Sequence, residues 1–311
     1  MTTEMALLYR GPNELLFMNP REGKYISCSY KPEDLPDVSA MTVTSDNDIC
    51  ILETKELENE DQVSLFKYDH AKNVWEHESM SSISKYPECY LKCCEEMLFE
   101  VDRTLYYLIL QDEGPLALLQ MRMYNQHTKQ WQECSQLQFD RTLYYVATLS
   151  CGSHLYFIES DEVHRYDPSQ DKWSMRTPPS LIFSVCTAVA IGTMIFCTDV
   201  DFSQTMVYDT ESDHWQKLQS WSNPENFDIN VRPSLFVLDN QLHIWLTCTN
   251  DDDEEEDHVY VYDRLSDAWT DLKVTLPDKE YYVHGRHCPV ARMYLPYLKG
   301  RKMITSYGCK H

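Results

Sequence analysis

His284, His287 and Cys288 place three metal-ligating side chains within five residues, in the only His/Cys cluster of the chain worth testing as a metal site. The cluster matches no regular zinc spacing and lacks a second ligand pair, so a solvated loop is expected and no metal is assigned. The acidic run from Asp251 to Asp257 (DDDEEED) lacks the Gly and distal Glu of a calcium loop. It is expected to be a solvated loop, with steering of a basic partner as the sharper use. Cys93 and Cys94 lie in a strand-like run, where neighbouring residues point to opposite faces, and are expected to be core and rim thiols. No Gly-x-Ser-x-Gly elbow, phosphate loop or dinucleotide fingerprint occurs, so no catalytic residue and no cofactor are assigned.

The residues that do recur are structural. Tyr, then Asp or Asn, then five residues, then Trp occurs at Tyr68 to Trp75, Tyr124 to Trp131, Tyr166 to Trp173, Tyr208 to Trp215 and Tyr262 to Trp269. A weaker sixth copy runs from Met18-Asn19 to Tyr25, and successive copies are 42 to 56 residues apart. An apolar or alternating strand precedes each Tyr, and polar turn residues follow it. The Asp or Asn can close that turn with its own side chain, while the Trp fills space beside a neighbouring unit and its ring N–H seeks an acceptor.

Two further apolar runs precede each Tyr strand, joined by turns at Asn47, Asp102, Gly152, Gly192 and Asn240, all residues that tolerate hairpin geometry. A unit of four antiparallel strands cannot bury both of its faces alone, so six of them are expected to pack around an axis. The predicted fold is all-β: a six-bladed β-propeller of four-stranded antiparallel blades, forming one domain over residues 1–311. The N-terminus supplies only three strands of the first blade (5–9, 15–19 and 25–28), so the C-terminus must supply the missing one, for which 288–297 is the candidate. Residues 303–307 look like a further strand, which either pairs in the first blade or replaces 5–9.

Composition narrows the functional classes. The 27 Lys and Arg against 50 Asp and Glu leave a net charge of −23, which argues against nucleic acid or an anionic membrane as the main partner. Residues 177–198 carry no charge and are long enough to span a bilayer, but Pro178, Pro179 and Gly192 interrupt them. The repeat assigns them to the first hairpin of one unit, and the membrane reading is rejected. Twelve scattered cysteines, no Cys-x-x-Cys, no secretory leader and no Asn-x-Ser/Thr favour a reducing cytoplasmic setting, with the nucleus as a second compartment.

The Tyr-Asp-x5-Trp hairpin at this interval resembles the kelch repeat over nearly the whole chain. It departs in lacking the Gly-Gly pair after the second strand; Glu53-Thr54, Gln111-Asp112, Glu159-Ser160, Thr198-Asp199 and Thr247-Cys248 stand there instead. The resemblance is to the substrate-binding domains of BTB-kelch proteins. It implies a non-catalytic, monomeric propeller that holds a substrate protein or degron peptide for ubiquitination, and that reaches cullin-3 through a BTB-BACK region which this sequence does not contain.

In that family the pocket is built from the loops after the second strand and those leading into the first. Carried onto this chain, the lead-in loops hold Lys85, Tyr86, Arg141, Phe227, Arg232, Tyr281, Tyr282, His284 and Arg286, with Trp221 just beyond a fourth strand. Arg141, Arg232 and Arg286 suit carboxylates, and the aromatics suit binding hot spots. Each also has a plainer reading as a loop residue paired with local acids, and Trp221 as packing beneath a loop. A kelch scaffold without ligase role, and a propeller enzyme with a central-channel metal, are the rival functions.

Overall fold

The computed structural model describes residues 2–10, 13–31, 34–35, 37–57, 60–84, 94–112, 116–179, 184–219, 221, 228–249, 255–273, 288–298 and 303–304. Strands β1 (Thr3–Arg10), β2 (Glu14–Asn19) and β3 (Lys24–Ser29) begin the first blade. The second blade is β4 (Ala40–Val43), β5 (Ile49–Glu56), β6 (Glu60–Asp69) and β7 (Val74–Ser84). The third is β8 (Cys94–Val101), β9 (Thr104–Asp112), β10 (Ala117–Asn125) and β11 (Gln130–Glu133), with β12 (Leu137–Phe139) also pairing β10. The fourth is β13 (Val146–Cys151), β14 (His154–Glu159), β15 (Val163–Asp167) and β16 (Lys172–Arg176). The fifth is β17 (Val185–Ile191), β18 (Met194–Asp199), β19 (Thr205–Asp209) and β20 (His214–Lys217). The sixth is β21 (Asp228–Leu238), β22 (Gln241–Thr249), β23 (Glu255–Asp263) and β24 (Ala268–Asp271).

The chain is an all-β, six-bladed propeller, each blade a meander of antiparallel strands running from the axis outward. Closure uses both C-terminal segments. β25 (Val290–Met293) lies on the inner edge of β1, with Thr3 opposite Met293 and Ala6 opposite Val290. β26 (Met303–Ile304) pairs the outer edge of β3, so the first blade has five strands. The candidate closing strand therefore pairs where the sequence required it, and 303–304 adds to β1 without replacing it.

The five expected turn residues all adopt positive φ: Asn47 68°, Asp102 48°, Gly152 58°, Gly192 63° and Asn240 59°. These are the types that pay least for left-handed backbone, which is why each hairpin turns there. Residues 185–199 form the β17–β18 hairpin within the charge-free stretch, and no helix among the described residues is long and apolar enough to cross a membrane.

Each repeat Tyr sits directly across the ladder from its Trp, as Tyr208 does from Trp215, with ring centroids 5.0 to 5.2 Å apart in all five copies. The core lies between blades. Ala147 and Ile158 of the fourth blade, for example, share one apolar cluster with Ala188, Tyr208 and Trp215 of the fifth.

The turn after each Tyr closes as its sequence suggests. Asp69, Asn125, Asp167, Asp209 and Asp263 each accept the backbone N–H two residues on, at 2.8 to 3.0 Å. A second regularity was not foreseen. The residue five after the Tyr has positive φ in every copy, and in four of the five it accepts the Tyr hydroxyl: Asn73, Asp171 (2.8 Å), Asp213 (2.5 Å) and Asp267 (2.5 Å). Asp171, Asp213 and Asp267 also accept a backbone N–H from the preceding blade, at Ser135, Thr177 and Gln219. Trp173 and Trp215 donate their ring N–H to the carbonyls of the same Ser135 and Thr177. At the junctions of the third with the fourth blade and of the fourth with the fifth, Tyr, Asp and Trp thus form one latch.

Candidate partner-binding face

In a four-stranded meander, alternate connections emerge at opposite ends of the strands. The loops after each second strand and the lead-ins to each first strand therefore share one face, and the Tyr/Trp turns share the other. On the loop face the described segments include 140–145 and 160–162 of the fourth blade and 200–204 of the fifth.

Arg141 sits at the centre of the first group. Its guanidinium makes a two-pronged contact with Asp161 (3.0 and 3.2 Å), lies 3.1 Å from Glu162 and donates to Glu159. Three carboxylates surround one cation, so this corner carries net negative charge and Arg141 is already paired. Burial pushes the Glu159 carboxyl up to about 7, against the opposing pull of Arg141 and with reinforcement from Asp161 and Glu162. Glu162 also meets His164 at 2.8 Å, and that ring packs against Phe139 and Phe157. Nearby Tyr144 is 71% exposed, the most open aromatic on this face among the described residues.

Trp221 is placed differently. It is 8% exposed, stacked on Phe202 at 5.0 Å and edge-on to Tyr260 at 5.4 Å, so its rings pack the junction of the fifth and sixth blades. Phe202 comes from the loop after β18 and holds φ at 50°. The backbone of Arg232 lies in β21, at an irregularity between the Val231–Thr247 and Ser234–Trp245 pairs. Lys85, Tyr86, Phe227, Tyr281, Tyr282, His284 and Arg286 lie outside the described residues, as do Cys93 and His287.

The acidic run is not wholly a loop. Glu255, Glu256 and Asp257 open β23 opposite Thr249, Cys248 and Thr247, and Asp257 accepts the Thr247 hydroxyl at 2.7 Å. The positions that depart from Gly-Gly do comparable work elsewhere. Asp199 accepts the Gln204 N–H at 3.0 Å and the Ser203 hydroxyl at 2.5 Å, and Thr198 donates to the Gln204 carbonyl. Polar side chains, rather than glycine backbone, hold these loops.

The axis carries a cavity of about 230 Å³ to which all six blades contribute, through residues such as Thr42, Phe99, Leu149, Ala188, Phe236 and Val290. Among the described residues no three His, Cys, Asp or Glu side chains gather as a metal site. Of the eight cysteines whose side chains are described, seven are buried. Burial pushes the Cys50 and Cys248 thiols up to about 12, which keeps them protonated and poorly nucleophilic.

No family profile matches the chain. The mouse protein named Kelch-like protein 35 is 26% identical over 126 residues, 38% of this chain and 21% of that protein, so the match spans about a fifth of the relative's length. Among solved structures, a chain of the nidogen/laminin complex superposes with a TM-score of 0.55 at 9% identity, covering 93% of this chain and 98% of that one. A Bacteroides fragilis protein described as a candidate 6-phosphogluconolactonase gives 0.53 at 10% identity, covering 91% and 84%. YjhT gives 0.51 at 11% identity, covering 76% and 83%. Identities this low speak to fold alone, since propellers carry unrelated functions. The hairpin repeat, the six blades and the Kelch-like match together support a propeller of the kelch type.

Proposed function

We propose that this chain is a non-catalytic, monomeric protein-binding propeller, the substrate-recognition part of a cullin-3 ubiquitin ligase adaptor whose BTB-BACK region lies outside this sequence. It would work in the cytoplasm, with the nucleus as a second compartment. The observation that carries the reading is the Tyr-Asp-x5-Trp repeat on six blades together with the match to Kelch-like protein 35. The substrate protein or degron would meet the loop face, where Arg232 and Arg286 supply cations for a carboxylate and the lead-in aromatics supply apolar contact. Arg141, held by three acids, would act there as a fixed part of the surface.

Affinity purification with mass spectrometry from cells in which cullin activity is blocked should enrich a bound protein that accumulates under the block. Arg232→Ala with Arg286→Ala should abolish its capture. Undiminished capture by the double variant would refute the assigned face. A partner whose abundance ignores the block would favour a scaffold over a ligase receptor.

A further inference from the structure

The exposed apolar side chains are not spread evenly round the ring. Among the described residues, the loop face carries three large ones open to solvent: Leu57 at 45%, Leu116 at 45% and Tyr144 at 71%. All three belong to the second, third and fourth blades: Leu57 follows β5, Leu116 stands just before β10, and Tyr144 leads into β13. The bulky side chains described on the loop side of the fifth blade are covered instead, Phe202 fully and Trp221 almost so.

Packing ties the three positions into one surface. Ala117, next to Leu116, pairs with Phe139 of β12, so Leu116 borders the 140–145 segment that carries Tyr144. Phe139 stacks on Phe157 at 5.3 Å and joins the third blade to the fourth. Three residues before Leu57, Thr54 donates to Glu96 at 2.7 Å and joins the second blade to the third.

The border of this surface is acidic. Asp140, Glu159, Asp161 and Glu162 stand in or beside the same two loops as a single cation, Arg141, which three of them already hold. Lys55, two residues before Leu57, is paired with Glu53 at 3.1 Å. Carboxyl groups thus outnumber cations, and both cations are taken up within the protein.

We propose that the loop face of the second, third and fourth blades docks a protein segment that is both apolar and basic. Its leucine or aromatic side chains would cover Leu57, Leu116 and Tyr144, while its lysine or arginine groups meet the surrounding carboxylates. Covering exposed apolar groups releases their water, and Tyr144 offers a large, amphipathic contact. The excess of carboxylates selects a cationic segment and repels an acidic one. The inference rests on the functional reading above for the choice of face, and it names the class of segment held there. Arg232 belongs to β21 of the sixth blade, outside this half of the face, so the two contacts are separable by mutation.

The test uses the whole chain and three capped twelve-residue peptides, titrated by calorimetry. One carries three leucines and three lysines on a glycine-serine background, one has glutamate for each lysine, and one has serine for each leucine. Saturable binding of the leucine-lysine peptide near ~0.1 mM is expected, with the other two weaker by about tenfold or more. Leu57→Ser, Leu116→Ser and Tyr144→Ser together should weaken it by about tenfold; all three side chains are exposed, so the fold should tolerate the change. Leu265→Ser, 98% exposed on the turn face, should bind as the parent chain does. No saturable binding, equal affinity for the glutamate peptide, binding unchanged in the triple variant, or an equal loss in Leu265→Ser would overturn the surface. So would dimerisation in sedimentation that the triple variant abolishes, since it would give these residues to a second copy of the chain. Failure of the ligase reading looks different: the peptide binds as expected while no partner accumulates under the cullin block. If instead the variant lacking Arg232 and Arg286 loses that partner in cells and the triple variant keeps it, the ligase reading stands and this surface falls.

Discussion

Asp213 takes one hydrogen bond from Tyr208 of its own hairpin and another from the backbone of Thr177 in the preceding blade, so a single carboxylate ties two sheets together. Burial raises its pKa, but these donors outweigh that and hold it below the usual carboxylate range. Asp213→Ala should cost roughly 2 kcal/mol in urea unfolding, because it strands a phenol and a backbone N–H; a cost near zero would mean that water replaces the carboxylate. At Lys129 the opposite sign is expected. Asn there would give Tyr124 an acceptor, as Asn73 does for Tyr68, and would suit the positive φ, so Lys129→Asn should gain about 0.5–1 kcal/mol even after losing the exposed pair with Glu78. The Tyr and Trp were legible because they recur at fixed spacing. The position five after the Tyr recurs as well, but as Asn, Lys, Asp, Asp and Asp, and its role as an acceptor in four of the five copies appears only once the backbone is seen. Glu159 gives a pH prediction. Its folded pKa is raised to about 7, so its contribution to stability is fully present below its ordinary value of 4.5 and is lost as pH rises through 7. Glu159→Gln should flatten the fall in unfolding free energy across that window, and an unchanged slope would mean that the carboxyl titrates normally.

At the scale of elements, hairpins were the most readable feature, since left-handed turn residues between apolar runs leave few alternatives. Strand ends were less so. β7 and β21 run longer than their apolar cores suggest, because backbone pairing continues through polar residues and across the irregularities at Leu65/Phe66 and Val231/Ser234. Those register shifts have no sequence signature, which is why Arg232, read from the sequence as part of a lead-in loop, lies within β21 instead. β25 carries the clearest mechanical role. It buries Ala291 and Met293 in the cluster that joins the first and second blades and covers the inner edge of β1. Deleting residues 288–311 should therefore abolish a single cooperative transition in denaturant followed by circular dichroism, and should promote association through the uncovered β1 edge. A truncated chain that still unfolds in one step at the original midpoint would show that closure contributes little.

The whole molecule carries a charge of −23 on a closed ring, and acids are grouped on both faces as well as in the run from Asp251 to Asp257. Self-repulsion at this density opposes compactness, so thermal stability should rise between low salt and ~0.15 M, where the screening length falls to roughly 8 Å. No change with salt would indicate that local pairs such as those of Arg141 already absorb the field. Architecture was legible here because a repeated unit with two apolar faces can be satisfied only by its neighbours, and the count of hairpins then sets the count of blades. What the ring binds was less legible, because the loops that would decide it do not repeat. The pairing of Thr3 to Ala6 with Val290 to Met293 also constrains biosynthesis. Within this sequence β1 is made long before β25, so until residue 293 has cleared the exit tunnel the nascent propeller presents an open β1 edge, and its need for a chaperone should end only then.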